Sequence, residues 1–435
     1  MRTTFSIAIA FTVSGFWAVP AMAQSSPGFS IQRQSQSANI SELGGERGGA
    51  LEACTSEIGK YCVGKEGGAK KCLSEISDQL SGECKTALAA PPPPAPKEKN
   101  PVPRCAHSPL CSTNRGGGKP VVDRVVWNQT AGYTFAYPFA LPAGVKGGIS
   151  GVAVDSHDNL WAFERNQPGQ PQLFEFDSHH KLIRTVSPDV INYIFKAHGI
   201  AVDAEDNVWI CDADGSVVMK LSPEGKLLMT IGTRAKRGDW DEAKGQHLLW
   251  QPMDIGFGRN GDIYISEGHA DESPNDVDTG DATNTVGVAR ILHLDKTGKF
   301  INQWYGNSWG PGKFTMAHGM AVDPKNGDVW IGDREQYRLV VYSGEGKFIK
   351  TLSMKNLTCA VYFDRHGEPW VATGNDGQLI RIDRDGHVLA AIGKGRGRED
   401  GQFMETNFMG QDSAGNMYTG DTTIPRITQM MAPKK

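Results

Sequence analysis

The chain has 435 residues, a formal net charge of −4 at pH 7 and 52 glycines. Acidic and basic residues are mixed along it, which argues against a nucleic-acid-binding protein, because such proteins present a basic face. The length allows one large domain and a smaller one, and abundant glycine is typical of short strands joined by tight turns.

The first 23 residues have the pattern of an export signal. Arg2 precedes an apolar run over residues 5–19, and small residues occupy the positions before Gln24. We expect cleavage after Ala23 and a periplasmic or secreted protein, in a compartment where disulfides persist. An uncleaved anchor is the alternative, but the run is shorter than the ~20 apolar residues of a membrane span. We therefore expect no span in the mature chain.

A cysteine-rich segment follows a polar one. Residues 24–50 are rich in Ser, Gln and Gly, and we expect them to be disordered. Residues 51–90 have a composition that favours helix. Four cysteines lie within them and allow three pairings, which the sequence leaves open: Cys54, Cys62, Cys72 and Cys84. A metal site is the alternative, although close Cys-x-x-Cys pairs are absent.

The stretch from "ACTSEIGKYC" to "GECKTAL" resembles the cysteine-rich repeat of the Golgi apparatus protein 1 family. This resemblance implies a small helical hairpin held by disulfides. Residues 91–120 then begin with four prolines and predict an extended linker. Within the linker, Cys105 and Cys111 are close enough to close a small disulfide loop.

Residues 121–435 repeat one pattern six times: an apolar strand, a polar turn, and a strand led by an aromatic residue. The aromatic positions are Trp161, Trp209, Tyr264, Trp330, Trp370 and Tyr418. Two further strands follow in most units, and the units recur at ~40–50 residues, the spacing of propeller blades. The pattern predicts an all-β, six-bladed β-propeller. The sixth unit lacks a strand, and we expect residues 122–137 to supply it and close the ring.

The phrase G-x-A-V-D…N-x-W/Y-x-x-D resembles the NHL repeat, a propeller family, over residues 145–430. That family hosts both enzymes and binding modules, so the resemblance implies the fold more than the function.

Two of the six units carry a histidine just before the predicted first strand. His198 lies in "AHGIAVD" and His318 in "AHGMAVD", in units two and four. The matching position of unit six is Asn407. Alternate blades of a six-bladed ring are a third of a turn apart, so three such groups can converge as a three-ligand metal site requires. The alternative is that both histidines only make structural hydrogen bonds.

These phrases resemble the lyase domain of peptidylglycine α-amidating enzymes, in which three histidines of "PHG", "PHS" and "PHD" phrases bind zinc. The resemblance implies a zinc site at His198 and His318, with Asn407 at the third position. "WIGDREQYRLVVY" resembles the family's "ADRENGR" phrase and implies a catalytic role for Arg334. His269 falls near the position of a catalytic tyrosine, and we propose it as the base. The implied reaction cleaves a peptidyl-α-hydroxyglycine-like carbinolamide to an amide and glyoxylate.

Several alternatives stay open. Arg334 can instead form a salt bridge with Asp333, Glu335 or the next blade. The loop 269–284 carries four acids that could bind structural calcium, although a solvated acidic loop is favoured: Glu272, Asp276, Asp278 and Asp281. We expect Cys211 and Cys359 to be buried free thiols.

Two rival functions accompany the lyase hypothesis. One is a non-catalytic propeller that binds a peptide-like small ligand or a protein partner in the cell envelope. The other is a calcium-dependent lactonase-type propeller, for which Asp254 and Asn407 are the suggestive residues. In each case we expect a monomer.

Overall fold

The structure is a computed structural model. It describes residues 41–43, 46–47, 54, 57, 61, 73–89, 128–165, 170–191, 194, 196–268, 289–306, 312–374 and 376–434. The predicted export signal, the Cys105–Cys111 loop, His269 and the acidic loop lie outside these residues.

The N-terminal region contains short elements and one disulfide. Strands β1 (Ser41–Leu43) and β2 (Glu46–Arg47) form an antiparallel pair. A 3-10 helix, Ser77–Gln79, precedes helix α1 (Gly82–Ala89). A disulfide joins Cys54 to Cys84, which selects one bond of the three pairings left open; Cys62 and Cys72 lie outside the described residues. No helix among the described residues is long and apolar enough to cross a membrane.

In the described part of the chain, six antiparallel sheets of four strands each form the blades, which confirms the predicted six-bladed β-propeller. Blades 1 and 2 and the helix between them comprise β4 (Gly148–Val154), β5 (Leu160–Arg165), β6 (Leu173–Phe176), β7 (Leu182–Val186), α2 (Pro188–Ile191), β8 (Ala197–Val202), β9 (Val208–Asp212), β10 (Val217–Leu221) and β11 (Leu227–Gly232). An added hairpin and blade 3 comprise β12 (Trp240–Asp241), β13 (Gln246–His247), β14 (Pro252–Phe257), β15 (Ile263–Glu267), β16 (Arg290–Leu294) and β17 (Phe300–Tyr305).

The remaining blades complete the ring. Blades 4 and 5 comprise β18 (Ala317–Val322), β19 (Val329–Asp333), β20 (Arg338–Tyr342), β21 (Phe348–Ser353), β22 (Ala360–Phe363), β23 (Pro369–Ala372), β24 (Leu379–Ile382) and β25 (Val388–Ile392). Blade 6 comprises β26 (Thr406–Gln411), β27 (Met417–Asp421), β28 (Ile427–Met431) and β3 (Thr134–Ala136).

Strand β3 closes the ring, as the sequence predicts. Phe135 pairs with Met430 of β28, so the N-terminal end of the propeller supplies the outer strand of the last blade. Apolar side chains fill the space between neighbouring blades. Between blades 5 and 6, Phe135 packs against the cluster that contains Trp370 and Phe403. Closure thus removes an unpaired sheet edge and buries apolar surface.

The acid of the repeated "AVD" phrase holds the turn between the first two strands of a blade. Asp203 accepts hydrogen bonds from the backbone N–H of Asn207 and from Nε1 of Trp209, the latter at 2.9 Å. Trp370 donates to Asp364 in the same way at 3.1 Å. In blades 2 and 5 the aspartate therefore supplies the hydrogen-bond partner that a buried indole N–H needs.

A second acid, at the end of the second strand, fixes where the first strand begins. Asp333 Oδ1 accepts from the backbone N–H groups of Thr315 and Met316, both at 3.0 Å. Its Oδ2 accepts from Arg338 at 2.7 Å. Four other blades carry the equivalent acid, each of which accepts from at least one backbone N–H group ahead of the first strand: Glu164, Asp212, Glu267 and Asp421.

Candidate functional site

The two histidines lie inside the first strands of their blades, not before them as expected. His198 is the second residue of β8 and His318 the second residue of β18. Each strand begins one residue before its histidine. Ala197 pairs with Asp212 and Ala317 with Asp333, the acids at the ends of the second strands.

The backbone is irregular at these same positions. The register shifts between Ala197 and Ile200 in blade 2, and between Ala317 and Met320 in blade 4. In blade 6 it shifts between Thr406 and Met409, at Asn407. A β-bulge changes the direction in which side chains point. The three predicted metal-binding positions therefore share the same kind of backbone irregularity.

The two imidazole rings meet at the inner end of the blades. His198 and His318 are buried, and their ring centroids are 4.7 Å apart with the planes inclined at 70°. Nδ1 of His198 lies 2.7 Å from the carbonyl oxygen of Met253, and Nδ1 of His318 lies 2.7 Å from that of Cys359. A carbonyl oxygen only accepts, so we assign the proton of each neutral ring to Nδ1. Nε2 then carries the lone pair, the arrangement seen in metal-binding histidines.

The glycine after each histidine is required by the next blade. A Cβ atom on Gly199 would lie 2.5 Å from the carbonyl oxygen of Met253, which also accepts from His198. A Cβ atom on Gly319 would lie 2.4 Å from the carbonyl oxygen of Cys359. The repeated "HG" pair therefore combines a hydrogen bond to the neighbouring blade with the close approach that this bond needs.

Blade 6 brings different side chains to the same place. Asn407 is buried, and its Oδ1 accepts no hydrogen bond from any residue the structure describes. Phe408, which occupies the glycine position, lies 5.5 Å from the His198 ring and 6.4 Å from the His318 ring by centroid distance. The sequence count identified Asn407 but gave no sign that Phe408 packs against both histidines.

Arg334 pairs with a residue that the sequence did not suggest. It begins a 3-10 helix directly after β19, and one of its terminal nitrogens lies 2.7 Å from Oε1 of Glu405. Asp333 bonds Arg338 instead, and Glu405 belongs to the segment that leads into blade 6. The sequence had suggested a salt bridge to Asp333, Glu335 or the next blade, and the Glu405 partner adds a residue from outside that set.

Two further arginines act on Glu405. Burial by itself would raise the pKa of the Glu405 carboxyl, but Arg334, Arg165 and Arg396 outweigh it and hold the pKa below its usual value. Arg165 also donates from Nε to the carbonyl oxygen of Ala197, the residue before His198. The sequence contains a signal for Arg165. An acid followed by an arginine, Glu164–Arg165, lies at the end of β5, just as Asp333–Arg334 spans the end of β19.

The remaining candidate residues are buried. Asp254 accepts from the backbone N–H groups of Ile255 and Met320, and burial raises the pKa of its carboxyl well above the usual value. Cys211 and Cys359 are buried free thiols, as expected. Burial raises the pKa of Cys211, which keeps it a neutral thiol at physiological pH.

A metal site needs several donor atoms grouped around one point. Among the described residues, no three His, Cys, Asp or Glu side chains are grouped to hold a metal ion. Two imidazoles are nevertheless adjacent and oriented by carbonyl groups, and a buried amide oxygen lies at the third position. These residues suit a metal that accepts nitrogen and oxygen ligands, such as zinc.

Parts of the chain are similar to known proteins. Residues 314–342, which include His318 and Arg334, match the NHL repeat. Mouse peptidyl-glycine alpha-amidating monooxygenase is 26% identical over 225 residues, 46% of this chain and 21% of that protein. Peptidyl-alpha-hydroxyglycine alpha-amidating lyase 1 of Drosophila melanogaster is 25% identical over 169 residues, 36% of this chain and 27% of that protein. The matched region thus spans only 21% and 27% of the length of these two relatives.

Solved structures that resemble the chain include a streptogramin B lyase, with TM-score 0.44 and 13% identity over 68% of this chain and 97% of that one. Another is a gluconolactonase from Xanthomonas campestris, with TM-score 0.46 and 13% identity over 66% of this chain and 86% of that one. The chain is a six-bladed β-propeller that contains an NHL repeat at residues 314–342, and over 36–45% of its length it is homologous to peptidyl-α-hydroxyglycine α-amidating lyases.

Proposed function

We propose that this chain is an exported lyase that cleaves peptidyl-α-hydroxyglycine-like carbinolamides to an amide and glyoxylate. The observation that carries the proposal is the meeting of two carbonyl-oriented imidazoles from alternate blades, 4.7 Å apart. The homology to amidating lyases supports the same reaction. A disulfide in the N-terminal region supports an oxidising compartment.

The reaction moves one proton and breaks one bond. The C–N bond of the carbinolamide breaks, its electron pair stays on the amide nitrogen, and the hydroxyl oxygen becomes the carbonyl oxygen of glyoxylate. A base must take the hydroxyl proton, and a proton must reach the nitrogen. We assign the base role to His269, which can return the proton to the nitrogen. The overall change is neither oxidation nor reduction.

Arg334 is assigned to the charged end of the substrate. The glyoxylate portion carries a carboxylate, and a guanidinium binds a carboxylate through two parallel hydrogen bonds. Arg334 lies next to Asp333, which pairs with the residue before His318. The position of Arg334 near the end of blade 4 that bears His318 supports this role.

His198 and His318 would hold the metal through Nε2, with Asn407 Oδ1 or His269 as the third ligand. Zinc, when bound, lowers the pKa of the hydroxyl or water that it coordinates. The carbonyl groups of Met253 and Cys359 fix both rings in the orientation that this binding needs.

Metal content and turnover test the proposal together. The wild-type chain, purified from its export compartment, is expected to contain close to one equivalent of zinc and to release glyoxylate from N-benzoyl-α-hydroxyglycine. His198→Ala is expected to lose the metal and at least about 100-fold in turnover, since it removes a ligand. His179→Ala is the matched control, because His179 is exposed on a turn of blade 1. Absence of metal and turnover in the wild type would exclude the lyase.

One observation favours the rival function, a binding propeller for a peptide-like ligand or a protein partner. Arg334 is already paired with Glu405, so a structural role accounts for its position. Such a propeller would bind a carboxylate-bearing peptide without turning it over. A purified chain that binds the substrate analogue and releases no glyoxylate would support this function.

A further inference from the structure

The Glu405 carboxylate interacts with three guanidinium groups. Arg334 donates to it at 2.7 Å, and Arg165 and Arg396 also stabilise its charge. The three arginines come from three places in the ring: the end of β5, the turn after β19 and the loop after β25. Positive charge from three separate parts of the ring therefore stabilises the Glu405 carboxylate.

The surrounding acids are engaged elsewhere. Asp333 pairs with Arg338 at 2.7 Å, and Asp421 pairs with Arg426 at 3.1 Å. Glu164 accepts from backbone N–H groups ahead of blade 1. Among the described acids named here, Glu405 is the one that forms a salt bridge with Arg334.

The Glu405 cluster lies at the same end of the blades as the imidazoles. Glu405 is two residues before Asn407 in the chain. Arg165 bonds the carbonyl oxygen of the residue before His198. The Glu405 side chain is 19% exposed and that of Arg334 is 10% exposed, so the pair is not fully enclosed.

We propose that Glu405 is an internal carboxylate that occupies Arg334 in the ligand-free chain, and that the carboxylate of a ligand replaces it there. Glu405 is then a specificity-determining residue. A ligand without a carboxylate cannot compete for the guanidinium, and one with a carboxylate must exchange with Glu405. This inference rests on the proposed role of Arg334 in binding a carboxylate, but it does not require turnover.

The consequence is that removing the Glu405 charge strengthens anion binding. Glu405→Gln keeps the size of the side chain and leaves Arg334 with a weaker, neutral partner. A charged hydrogen bond is stronger than a neutral one, so a competing carboxylate gains at least about tenfold in affinity. Arg334→Met should do the opposite and weaken the same anion by at least about tenfold.

The test is calorimetric titration of the metal-loaded chain with glyoxylate, the small carboxylate, and with acetaldehyde as its uncharged counterpart. We expect Glu405→Gln to bind glyoxylate at least about tenfold more tightly than the wild type and acetaldehyde no differently. Glu399→Gln is the matched control, because Glu399 is exposed in the same loop and its loss removes the same charge. Unchanged or weaker glyoxylate binding by Glu405→Gln would overturn the proposal.

A second variant covers the case in which Glu405→Gln does not fold. Glu405→Asp keeps the charge but withdraws the carboxylate by one methylene, and it should bind glyoxylate about threefold more tightly, less than the glutamine variant. Equal affinity in a folded Glu405→Asp would also overturn the proposal. If glyoxylate binds more tightly to the variants while no variant or wild type releases glyoxylate from substrate, the lyase fails and the carboxylate exchange stands.

Discussion

Blades 2, 4 and 6 share a register shift in the first strand, but blades 2 and 4 have different residues there from blade 6. In all three the first strand shifts register near its start, after an acid of the second strand has fixed where it begins. Blades 2 and 4 place His-Gly there, and the histidine bonds the next blade. Blade 6 places Asn407 and Phe408, and the phenylalanine packs against both imidazoles. The repeat thus builds the position, while single side chains decide its chemistry.

The largest expected effect comes from making blade 6 resemble blades 2 and 4. Asn407→His would add a third imidazole at the third position, and imidazole is a better zinc ligand than an amide oxygen. We expect zinc affinity to rise on the order of a hundredfold, measured by competition with a chromogenic chelator.

A matched control separates this effect from the addition of any histidine. Asn326→His places the new ring on an exposed turn of blade 4 and should leave zinc affinity unchanged. If Asn407→His binds zinc no more tightly than the wild type, the three positions do not converge on one metal.

The second largest effect is expected from replacing the glycine of the His-Gly pair. Gly319→Ala would put a Cβ atom 2.4 Å from both the Cys359 carbonyl oxygen and the Ala360 Cα atom, so backbone must move. We expect a loss of about 2 kcal/mol in the free energy of unfolding, from urea denaturation. Gly256→Ala in blade 3 is the control, because its nearest contact is a Val322 methyl group at 3.2 Å. Equal losses for the two variants would show that the close approach at Gly319 is unimportant.

The smallest effect is the pH dependence of the Arg334–Glu405 pair. The folded pKa of Glu405 lies below its usual value of 4.5, so the folded chain favours the ionised form. The stability from this group is present above pH 4.5 and is lost as pH falls through the lowered folded pKa. In thermal unfolding from pH 7 to 3, the wild type should have a higher Tm than Glu405→Gln above pH 4.5, and this difference in Tm should shrink only below pH 4.5.

The comparison with a surface charge sharpens that measurement. Glu399→Gln removes an exposed carboxylate from the same loop and should follow the wild-type profile. A difference between wild type and Glu405→Gln that stays constant from pH 7 to 3 would mean that the pair contributes nothing through its charge.

Much of the site's framework was predictable from the sequence. The six aromatic anchors gave the blade count, and counting back from Trp209, Trp330 and Tyr418 identified His198, His318 and the place of Asn407. The missing strand of the last unit predicted ring closure by residues that include β3. The sequence prediction started the first strand too late, after the histidine. In the structure the acid at the end of the second strand pairs with the residue before the histidine and lengthens the first strand.

The sequence by itself determined the repeat, its strand order and which blades carry histidine, because turn chemistry and alternation act within one unit of ~40–50 residues. Only the tertiary structure decided that the His198 and His318 rings touch, that Phe408 packs on them, and that Arg334 meets Glu405. The last pair is separated by 71 residues in the chain. Such contacts join blades that no local pattern relates, and they exist only once the ring has closed and brought the ends of its blades together.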